Sequence, residues 1–340
     1  MSVPGARPTL EDVAVRAGVS RATVSRVIND SPRVSPEARE LVEAAVRDLG
    51  YVPNRAARAL VTRRTGAVAL VLSEPEHKFF DDPFFASAVR TVSQHLSAVD
   101  SQLVLLLVHR PDDHARIARY LAAGHVDGAL VLAPHREDPL PEAVRQLPLP
   151  VVFGGRPWIP ERGLHLVDHD NVGGGRLATE HLLGLGRREL VTVAGPQDEH
   201  AGLERLAGWR EATGADEAAT ALRAEPGGFT EPGGERAMAA LLERVPGLDA
   251  VFAANDLMAA GALRALRAAG RRVPEDVAVV GFDDQPTIAP HTSPPLTTIR
   301  QDPALRTAHM VALLRRLIAG ERVAPGREVL PVRLVRRESA

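Results

Sequence analysis

Two spacings of apolar residues divide the chain into a short helical part and a long part in which strands and helices alternate. Across residues 9–50, apolar positions recur at intervals of three and four, which is typical of amphipathic helices. From residue 66 onward, short uninterrupted apolar runs alternate with amphipathic stretches, and such runs indicate strands buried on both faces. The pattern predicts an N-terminal all-α head over 1–52, a hinge over 53–65 and an α/β body over 66–340.

The body has a regular series of predicted strands and helices. The strands are 67–72, 102–108, 128–132, 151–153, 190–194, 250–253 and 277–281, and the helices are 84–98, 113–123, 172–185, 203–213, 233–245, 257–269 and 303–317. Apolar strands joined by helices form parallel sheets covered on both faces, and a body of this length predicts two such lobes. Open sheets bind ligands at the carboxyl ends of their strands, so facing lobes would enclose a ligand cleft. We expect the chain to cross between the lobes near 156–160, 288–292 and 323–329.

Residues 9–29 predict two short helices joined by a tight turn. Thr9 and Asp12 match a capping box at the start of the first helix. Gly18 breaks that helix, and Ser20 caps the second. The outward positions of the second helix suit groove edges and phosphates, and they are Arg21, Ala22, Ser25, Arg26 and Asn29. This arrangement is a helix-turn-helix, in which the second helix is the natural recognition helix.

A third helix and a short basic segment follow. The residues Ser35-Pro36-Glu37 form a strong helix start. The predicted buried stripe of this helix is Leu41, Val42, Ala45, Val46 and Leu49. Residues 54–60 are too few to form a stable helix alone, and they would become helical on docking against DNA.

Charge and composition narrow the class of protein. The chain carries a formal charge of −2, but residues 1–65 hold 11 arginines against 7 acidic residues, so the basic excess lies where a phosphate-binding module requires it. The absence of cysteine excludes disulfides, thiolate catalysis and cysteine-based zinc sites. Neither a long uncharged apolar run nor a signal-peptide pattern is found, which predicts a soluble cytoplasmic protein without a membrane partner.

The head resembles that of the LacI/GalR family of bacterial repressors. Over residues 8–62 the matching stretches are T-L-x-D-V-A, A-G-V-S, T-V-S-R-V-I-N, V-S-P-E-A-R-E and G-Y-x-P-N-R-A-A-R-A-L. The body is similar to the periplasmic-binding-protein-like effector module of the same family, through V-D-H-D-N-V-G-G-G-R-L-A-T-E-H-L at 167–182, A-A-N-D-L-M-A-A-G-A-L at 253–263 and V-A-V-V-G-F-D-D at 277–284. The resemblance implies a helix-turn-helix head with a hinge helix, followed by a two-lobed effector domain that also dimerises.

The same resemblance implies how the head contacts double-stranded operator DNA. Arg21 and Ala22 would read bases in the major groove. Leu60 from each of two subunits would wedge into the minor groove, with Ala57 lying beside it. The implied supporting contacts come from Thr9, Leu10, Ser20, Thr23, Ser25, Arg26, Asn29 and Asn54.

Five polar residues are candidate ligand contacts. The resemblance implies that the second lobe lines the cleft with Arg205, Asn255, Asp256 and Asp283, and Gln301 follows a crossing and should face the same space. Carboxylates, amides and a guanidinium fork suit a polyol, which predicts a mono- or oligosaccharide effector. Asp256 also stands where a helix N-cap belongs, and we favour the capping role for it.

Aromatic residues provide further candidates. Phe80, Asp82 and Trp158 would offer apolar faces and a carboxylate to a sugar ring. Phe84 and Phe85 fit better as the start of the next helix, packed into the core.

Three local patterns bear on which ligands are expected. Several sugar-responsive members of the family carry an acid at about Gly154, and this chain has none there, so Arg156 would bring a positive charge instead. His165 and Asp168 resemble part of a metal cluster, but on a strand they would point to opposite faces. The glycines at 173–175 lack the spacing of a phosphate loop and are interpreted as a helix start. No metal or cofactor is therefore expected.

Three classes of function are compared with the features of this sequence. A ligand-responsive regulator uses both the head and the cleft. A solute-binding protein for transport shares the body but needs a signal peptide and has no use for the head. An enzyme on an α/β scaffold is not supported, since the sequence contains no Ser-His-Asp order, nucleotide loop or paired-carboxylate motif. The resemblance implies a homodimeric repressor, of carbohydrate-utilisation genes, that binds a pseudopalindromic operator.

Overall fold

The computed structural model describes residues 8–28, 33–52, 64–74 and 76–340, which belong to two units, Met1–Thr65 and Gly66–Ala340. Four of the predicted DNA contacts, Asn29, Asn54, Ala57 and Leu60, lie outside the described residues. Within the described ranges, no helix is long and apolar enough to cross a membrane.

Three helices form the first unit, α1 (Leu10–Ala17), α2 (Arg21–Ile28) and α3 (Pro36–Leu49). The predicted capping box is confirmed, because Thr9 Oγ1 accepts the backbone N–H of Asp12 at 3.3 Å and Asp12 Oδ2 accepts that of Thr9 at 2.8 Å. Gly18 ends α1 with a φ of 67°, in the left-handed region that glycine tolerates. Ser20 Oγ accepts the backbone N–H of Thr23 at 3.1 Å and so starts α2.

Apolar side chains from all three helices meet in the core of the head, namely Val13, Ala14, Ala17, Val24, Val27, Val42, Ala45 and Tyr51. The prediction that Leu41 belongs to the buried stripe of α3 is wrong, since its side chain is 53% exposed. The two short helices α1 and α2 cover only a narrow stripe of α3, and this stripe includes the completely buried Val42.

The second unit alternates strands and helices along its whole length. In chain order these are β1 (Ala67–Leu72), α4 (Glu76–Asp81), α5 (Pro83–Ser97), β2 (Gln102–Leu107), α6 (Pro111–Ala122), β3 (Gly128–Leu132), α7 (Leu140–Arg145), β4 (Val151–Gly154), β5 (His165–His169), α8 (Asn171–Gly184), β6 (Leu190–Ala194), α9 (His200–Thr213), α10 (Glu217–Arg223), β7 (Ala224–Pro226), α11 (Glu231–Arg244), β8 (Ala250–Ala253), α12 (Asp256–Ala268), β9 (Ala278–Asp283), β10 (Thr297–Arg300), α13 (Pro303–Ile318), β11 (Gly326–Leu330) and β12 (Arg333–Val335). Every strand and helix predicted for residues 66–340 is present, with small shifts at the ends.

These strands form two six-stranded sheets, one in each lobe. The first lobe has the order β11-β5-β4-β3-β1-β2, and all of its strands are parallel. The second lobe has the order β12-β10-β9-β8-β6-β7, in which β12 runs antiparallel to β10 and pairs Val335 with Thr298. The first lobe carries α4 to α7 and α13, and the second lobe carries α8 to α12.

The chain crosses between the lobes three times, but not where the sequence predicts. The crossings lie at 170, 301–302 and 331–332, after β5, β10 and β11. The predicted crossings at 156–160, 288–292 and 323–329 are wrong because none of these three strands shows a continuous apolar run. Asp168 in β5 and Thr297 in β10 are buried polar residues that interrupt the pattern.

Each lobe is stabilised by apolar layers on both sides of its sheet. In the first lobe, Leu70 and Leu130 face one layer while Val131 and Phe153 face the other. Complete burial of one such side chain contributes roughly 1.5–3 kcal/mol. The packed layers hold the strand ends rigidly, and therefore also the polar residues that follow them.

Candidate ligand cleft and nucleic-acid interface

A cleft lies between the two lobes at the carboxyl ends of both sheets. It holds about 720 Å³ of space, part of which is open to solvent. Residues at or just after strand ends form much of its wall, with Glu74, Ala133, Gly154 and Asp168 from the first lobe and Asn255, Asp283 and Gln301 from the second. Parallel strands end at one edge of a sheet, which is why residues distant in sequence converge here.

Six of the nine predicted ligand residues line this cleft, namely Asp82, Arg156, Arg205, Asn255, Asp283 and Gln301. Further lining residues were not predicted, and they include Glu74, Lys78, Asn171, Glu199, His200, Phe229 and Arg306. Phe84 and Phe85 lie at the start of α5 and pack into the core, as the sequence predicts. Both also line the cleft.

Arg205 occupies the centre of the second lobe's wall and is 4% exposed. Its Nε donates to Asn171 Oδ1 at 3.0 Å, and its Nη1 donates to the carbonyl of Ala254 at 2.6 Å. Nη1 also lies 3.4 Å from Asp283 Oδ1, and the guanidinium stacks 3.7 Å from the centre of the Phe282 ring. These contacts hold a planar fork of donors at a defined orientation.

The glycine run at 173–175 helps to place Arg205. It lies in the first turn of α8, where Asp170 caps the helix by accepting the Gly173 N–H at 2.8 Å. A Cβ atom at Gly175 would lie 2.3 Å from the carbonyl oxygen of Arg205, so only glycine lets α8 and α9 approach this closely. The interpretation of these glycines as a helix start is confirmed.

Asp283 ends β9 in a backbone conformation that residues other than glycine rarely adopt, with a φ of 108°. Its Oδ1 accepts a hydrogen bond from Gln301 Nε2 at 2.5 Å in addition to the contact with Arg205. Burial raises the pKa of Asp283 to about 6, although the positive charge of Arg205 opposes this rise. Strained residues held by their side-chain contacts are frequent at ligand sites.

Asp82 presents a second carboxylate from the first lobe. It caps α5 by accepting the backbone N–H of Phe84 at 2.9 Å. Burial, followed by the nearby charge of Asp283, raises its pKa to about 7. Two buried acids on opposite lobes favour a ligand that donates hydrogen bonds to both, because hydroxyl donors stabilise the ionised form of each.

Asn255, and not Asp256, is the N-cap of α12. Asn255 Oδ1 accepts the Met258 N–H at 2.8 Å, and its Nδ2 donates to the carbonyl of Phe229 at 3.2 Å. Asp256 is completely buried and accepts hydrogen bonds from the Gln285 N–H and the Thr298 hydroxyl, at 2.7 and 2.6 Å. The capping role predicted for Asp256 is therefore wrong, and its carboxylate is engaged behind the cleft wall rather than in it.

Phe80 and Trp158 are not among the described residues of the cleft wall. Phe80 is 70% exposed, because α4 turns it outward while its neighbour Phe79 packs against the core. Trp158 stacks on His200 with ring centroids 4.1 Å apart, and its Nε1 donates to the carbonyl of Asp198 at 2.7 Å. Trp158 thus supports His200, which does line the cleft.

A buried cluster of charged side chains, which the sequence does not predict, joins the two lobes. Lys78 Nζ donates to Glu74 Oε1 at 2.6 Å within the first lobe and to Glu199 Oε1 of the second lobe at 3.0 Å. His135 of the first lobe lies 2.8 Å from Asp198 and 3.5 Å from Glu74. The available signal was that Lys78 is the only lysine of the chain and lies just after a strand end.

The charges of this cluster are mutually compensating. Burial alone would lower the pKa of Lys78, but the charges of Glu199 and Glu74 outweigh burial and raise it. Burial also opposes protonation of His135, yet Glu74 and its acidic neighbours raise that pKa to about 9. Ligand atoms of Glu74, His135 and Glu199 lie within 4.8 Å of one another, but Lys78 and a protonated His135 together balance the two glutamates, so a metal ion is not needed to compensate them.

Arg156 is committed to contacts within the protein. Its Nε donates to Glu161 Oε1 at 2.5 Å, and its Nη1 donates to Glu204 Oε1 of the second lobe at 2.8 Å. Arg327 binds the same Glu204 at 3.2 Å and Asp168 at 2.9 Å. The predicted positive charge of Arg156 is present, but two carboxylates already compensate it.

The predicted DNA contacts in and just before α2 are at least partly accessible to solvent, as far as they are described. Ser20, Arg21, Ala22 and Arg26 are exposed, and Thr23 and Ser25 are half-buried. Arg21 Nε lies 2.9 Å from Glu11 Oε1, and both side chains are more than half exposed. Exposed ion pairs are weak, so a phosphate or a base edge can replace Glu11. At the start of α1, Thr9 is exposed and Leu10 is half-buried.

Comparison with known proteins relates both units to a single family. Residues 9–54 match the bacterial regulatory proteins of the lacI family, and residues 179–340 match a periplasmic binding protein-like domain. The chain is 52% identical over 339 residues to the HTH-type transcriptional regulator CelR of Thermobifida fusca, covering 98% of each protein.

Two solved structures extend this likeness to the whole chain. A complex of the transcriptional regulator CelR with cellobiose has 50% sequence identity and a TM-score of 0.77, covering 98% of this chain and 100% of that one. The lac repressor dimer bound to operator and the anti-inducer ONPF has 30% identity and a TM-score of 0.85, covering 98% and 99%. Since the similarity spans the helix-turn-helix and both lobes, the chain belongs to the lacI family of bacterial regulatory proteins and is a DNA-binding transcriptional regulator.

Proposed function

We propose that the protein represses carbohydrate-utilisation genes and that a neutral sugar of the cellobiose type, bound in the cleft, sets its affinity for operator DNA. The observation that carries the proposal is the cleft wall, in which Arg205, Asp283 and Gln301 form one hydrogen-bonded group opposite Asp82. Such a wall offers both donors and acceptors to the paired hydroxyls of a sugar. The full-length similarity to a regulator solved with cellobiose supports this ligand class.

On the DNA side, the exposed face of α2 is the proposed reading surface. Arg21 and Ala22 would contact base edges in the major groove, and the basic excess of residues 1–65 would neutralise phosphates. Roles for Asn29, Asn54, Ala57 and Leu60 remain expectations from the sequence. The similarity to a lac repressor dimer on operator supports a homodimer on a pseudopalindromic site.

The two functions would be coupled through the arrangement of the lobes. Three chain crossings and the ion pairs Lys78–Glu199 and Arg156–Glu204 link the lobes, so a ligand bound between them acts on both at once. A ligand that favours one arrangement of the lobes shifts the population between states of different DNA affinity. Because such coupling is reciprocal, operator DNA would weaken ligand binding by the same factor.

We further propose that the protein acts in the cytoplasm, where its DNA is accessible, and by binding rather than by catalysis. The relatives with which it shares nearly its full length are transcriptional regulators. The acids of the cleft wall are engaged with cations or with a backbone N–H, which suits recognition of a ligand.

The test is an operator-release titration. The preferred duplex is first selected from a random library, and binding is then followed by fluorescence anisotropy at several salt concentrations. We expect the protein to bind a pseudopalindromic site far more tightly than random DNA and to release it when cellobiose is added. We also expect the cellobiose to be recovered unchanged. Failure to prefer any duplex over random DNA would overturn the regulator assignment, and release of glucose from cellobiose would favour an enzyme.

A further inference from the structure

Arg306 is a buried cation of the cleft wall whose guanidinium has no hydrogen-bond partner among the described residues. It lies in the second turn of α13, is 7% exposed and lines the cleft. Its guanidinium lies 4.9 Å from the centre of the Phe84 ring. Within the part of the chain that the structure describes, its side chain makes no hydrogen bond or ion pair, and its Nε is buried and unsatisfied. Burying such a group costs free energy unless an acceptor is supplied.

The other cations of the wall differ from Arg306 in this respect. Lys78 is bonded to Glu74 and Glu199, Arg156 to two glutamates, and Arg205 to Asn171, Ala254 and Asp283. Arg306 also lies close to the N-terminus of α13, where the helix dipole disfavours a positive charge. The carboxylates of Asp168 and Asp283 attract its charge, but neither makes a hydrogen bond or ion-pair contact with it among the described residues, and the helix position does not favour it.

Asp82 complements Arg306 on the same wall. Its carboxylate accepts a hydrogen bond from the backbone N–H of Phe84, and the described side chains donate none to it. The wall of the first lobe thus presents, next to Phe84, a carboxylate with acceptor capacity to spare and a guanidinium without a hydrogen-bond acceptor among the described residues. A neutral polyol satisfies both, since its hydroxyls donate to Asp82 while its oxygens accept from Arg306. An anion would gain from Arg306 but would be repelled by Asp82 and Asp283.

We propose that Arg306 is a specificity-determining residue of the cleft, whose guanidinium donates hydrogen bonds to the acceptor oxygens of a neutral disaccharide. This inference rests on the proposed function and names a residue that selects its ligand. Hydrogen bonds that involve a charged group contribute more than neutral ones, so the contact would weigh heavily in affinity.

The experiment compares Arg306→Met with Arg306→Lys and with a control, Arg315→Met, an exposed position on the same helix. Two quantities are measured for each full-length protein, the melting temperature without ligand and the dissociation constant for cellobiose by calorimetry. We expect Arg306→Met to weaken cellobiose binding roughly 10- to 100-fold and to melt no lower than the wild type, because it removes an unpaired buried charge. Arg306→Lys should be intermediate, and Arg315→Met should bind normally.

Other outcomes separate the alternatives. A lower melting temperature of Arg306→Met with unchanged cellobiose affinity would show a purely structural cation and overturn the inference. Tighter binding of the acid cellobionate than of cellobiose, lost in Arg306→Met, would show an anion site and overturn it as well. If the wild-type protein binds no cellobiose, the proposed effector is wrong. The two results above can be obtained only with a wild type that binds cellobiose, so they test the role of Arg306 separately from the identity of the effector.

Discussion

Lys78 of the first lobe donates a hydrogen bond to Glu199 of the second lobe at 3.0 Å, although 121 residues separate them. Both side chains are about nine-tenths buried, and Lys78 also binds Glu74 at 2.6 Å. The ammonium therefore bridges two carboxylates that the fold brings together in the cleft wall.

Replacing Lys78 with methionine should strongly destabilise the body. The change leaves Glu74 and Glu199 buried without their cation, and removing one member of a buried ion pair costs about 3–5 kcal/mol. Urea unfolding followed by tryptophan fluorescence measures the effect. Lys78→Met combined with Glu199→Gln should recover part of the loss, and equal stabilities of the single and double variants would contradict the assigned contact.

The stability of the body should fall as the pH rises from about 6.5 to 9. His135 binds its proton more tightly in the folded protein, where Glu74, Glu199 and Asp198 face it and raise its pKa from 6.5 to about 9. The protonated His135 stabilises the folded protein fully at pH values below its pKa in the unfolded chain. This stabilisation is lost as the pH rises through its pKa in the folded protein, and the free energy of unfolding falls by no more than about 1.4 kcal/mol per pH unit. His135→Gln should flatten this slope in thermal melts, and an unchanged slope would contradict the assignment.

Replacing Arg205 with alanine should abolish the effector response while leaving operator binding intact. The guanidinium joins Asn171, Ala254 and Asp283 in the cleft wall, and its loss leaves Asp283 buried without its cation. Anisotropy titrations with and without cellobiose check this. Arg210→Ala, an exposed position on the same helix, serves as the control. Normal release of operator by the Arg205 variant would show that the cleft assignment is wrong.

Arg21→Ala should relax operator choice at one base pair. Arg21 is exposed on α2 and, among the described residues, makes a weak ion pair with Glu11. Loss of a base contact of this kind costs about 1–3 kcal/mol on the preferred sequence and much less on random DNA. Competition between operator and random duplexes measures the difference. Arg47→Ala on the exposed side of α3 is the matched control, and equal losses on both DNAs would point to a phosphate contact instead.

Most elements could be predicted from the sequence because their signals are local. The Thr9–Asp12 capping box, the Gly18 turn and the apolar strand 67–72 each depend on residues close together in the chain. The sequence does not predict strand β5, because Asp168 interrupts its apolar run. The predicted position of the first crossing between the lobes is therefore too early in the chain. The sequence predicts Asp256 as the cap, whereas α12 begins one residue earlier and is capped by Asn255.

The sequence by itself determined the helix-turn-helix head, the α/β class of the body and most of the polar residues at strand ends, because periodicity, caps and turns are properties of neighbouring residues. Only the tertiary structure decided which of these polar groups meet. The order of strands in the two sheets brings Lys78 to Glu199 and Arg205 to Asp283, and it leaves Arg306 buried without a hydrogen-bond or ion-pair partner among the described residues. Such pairings depend on contacts between residues far apart in sequence, which local spacing does not encode.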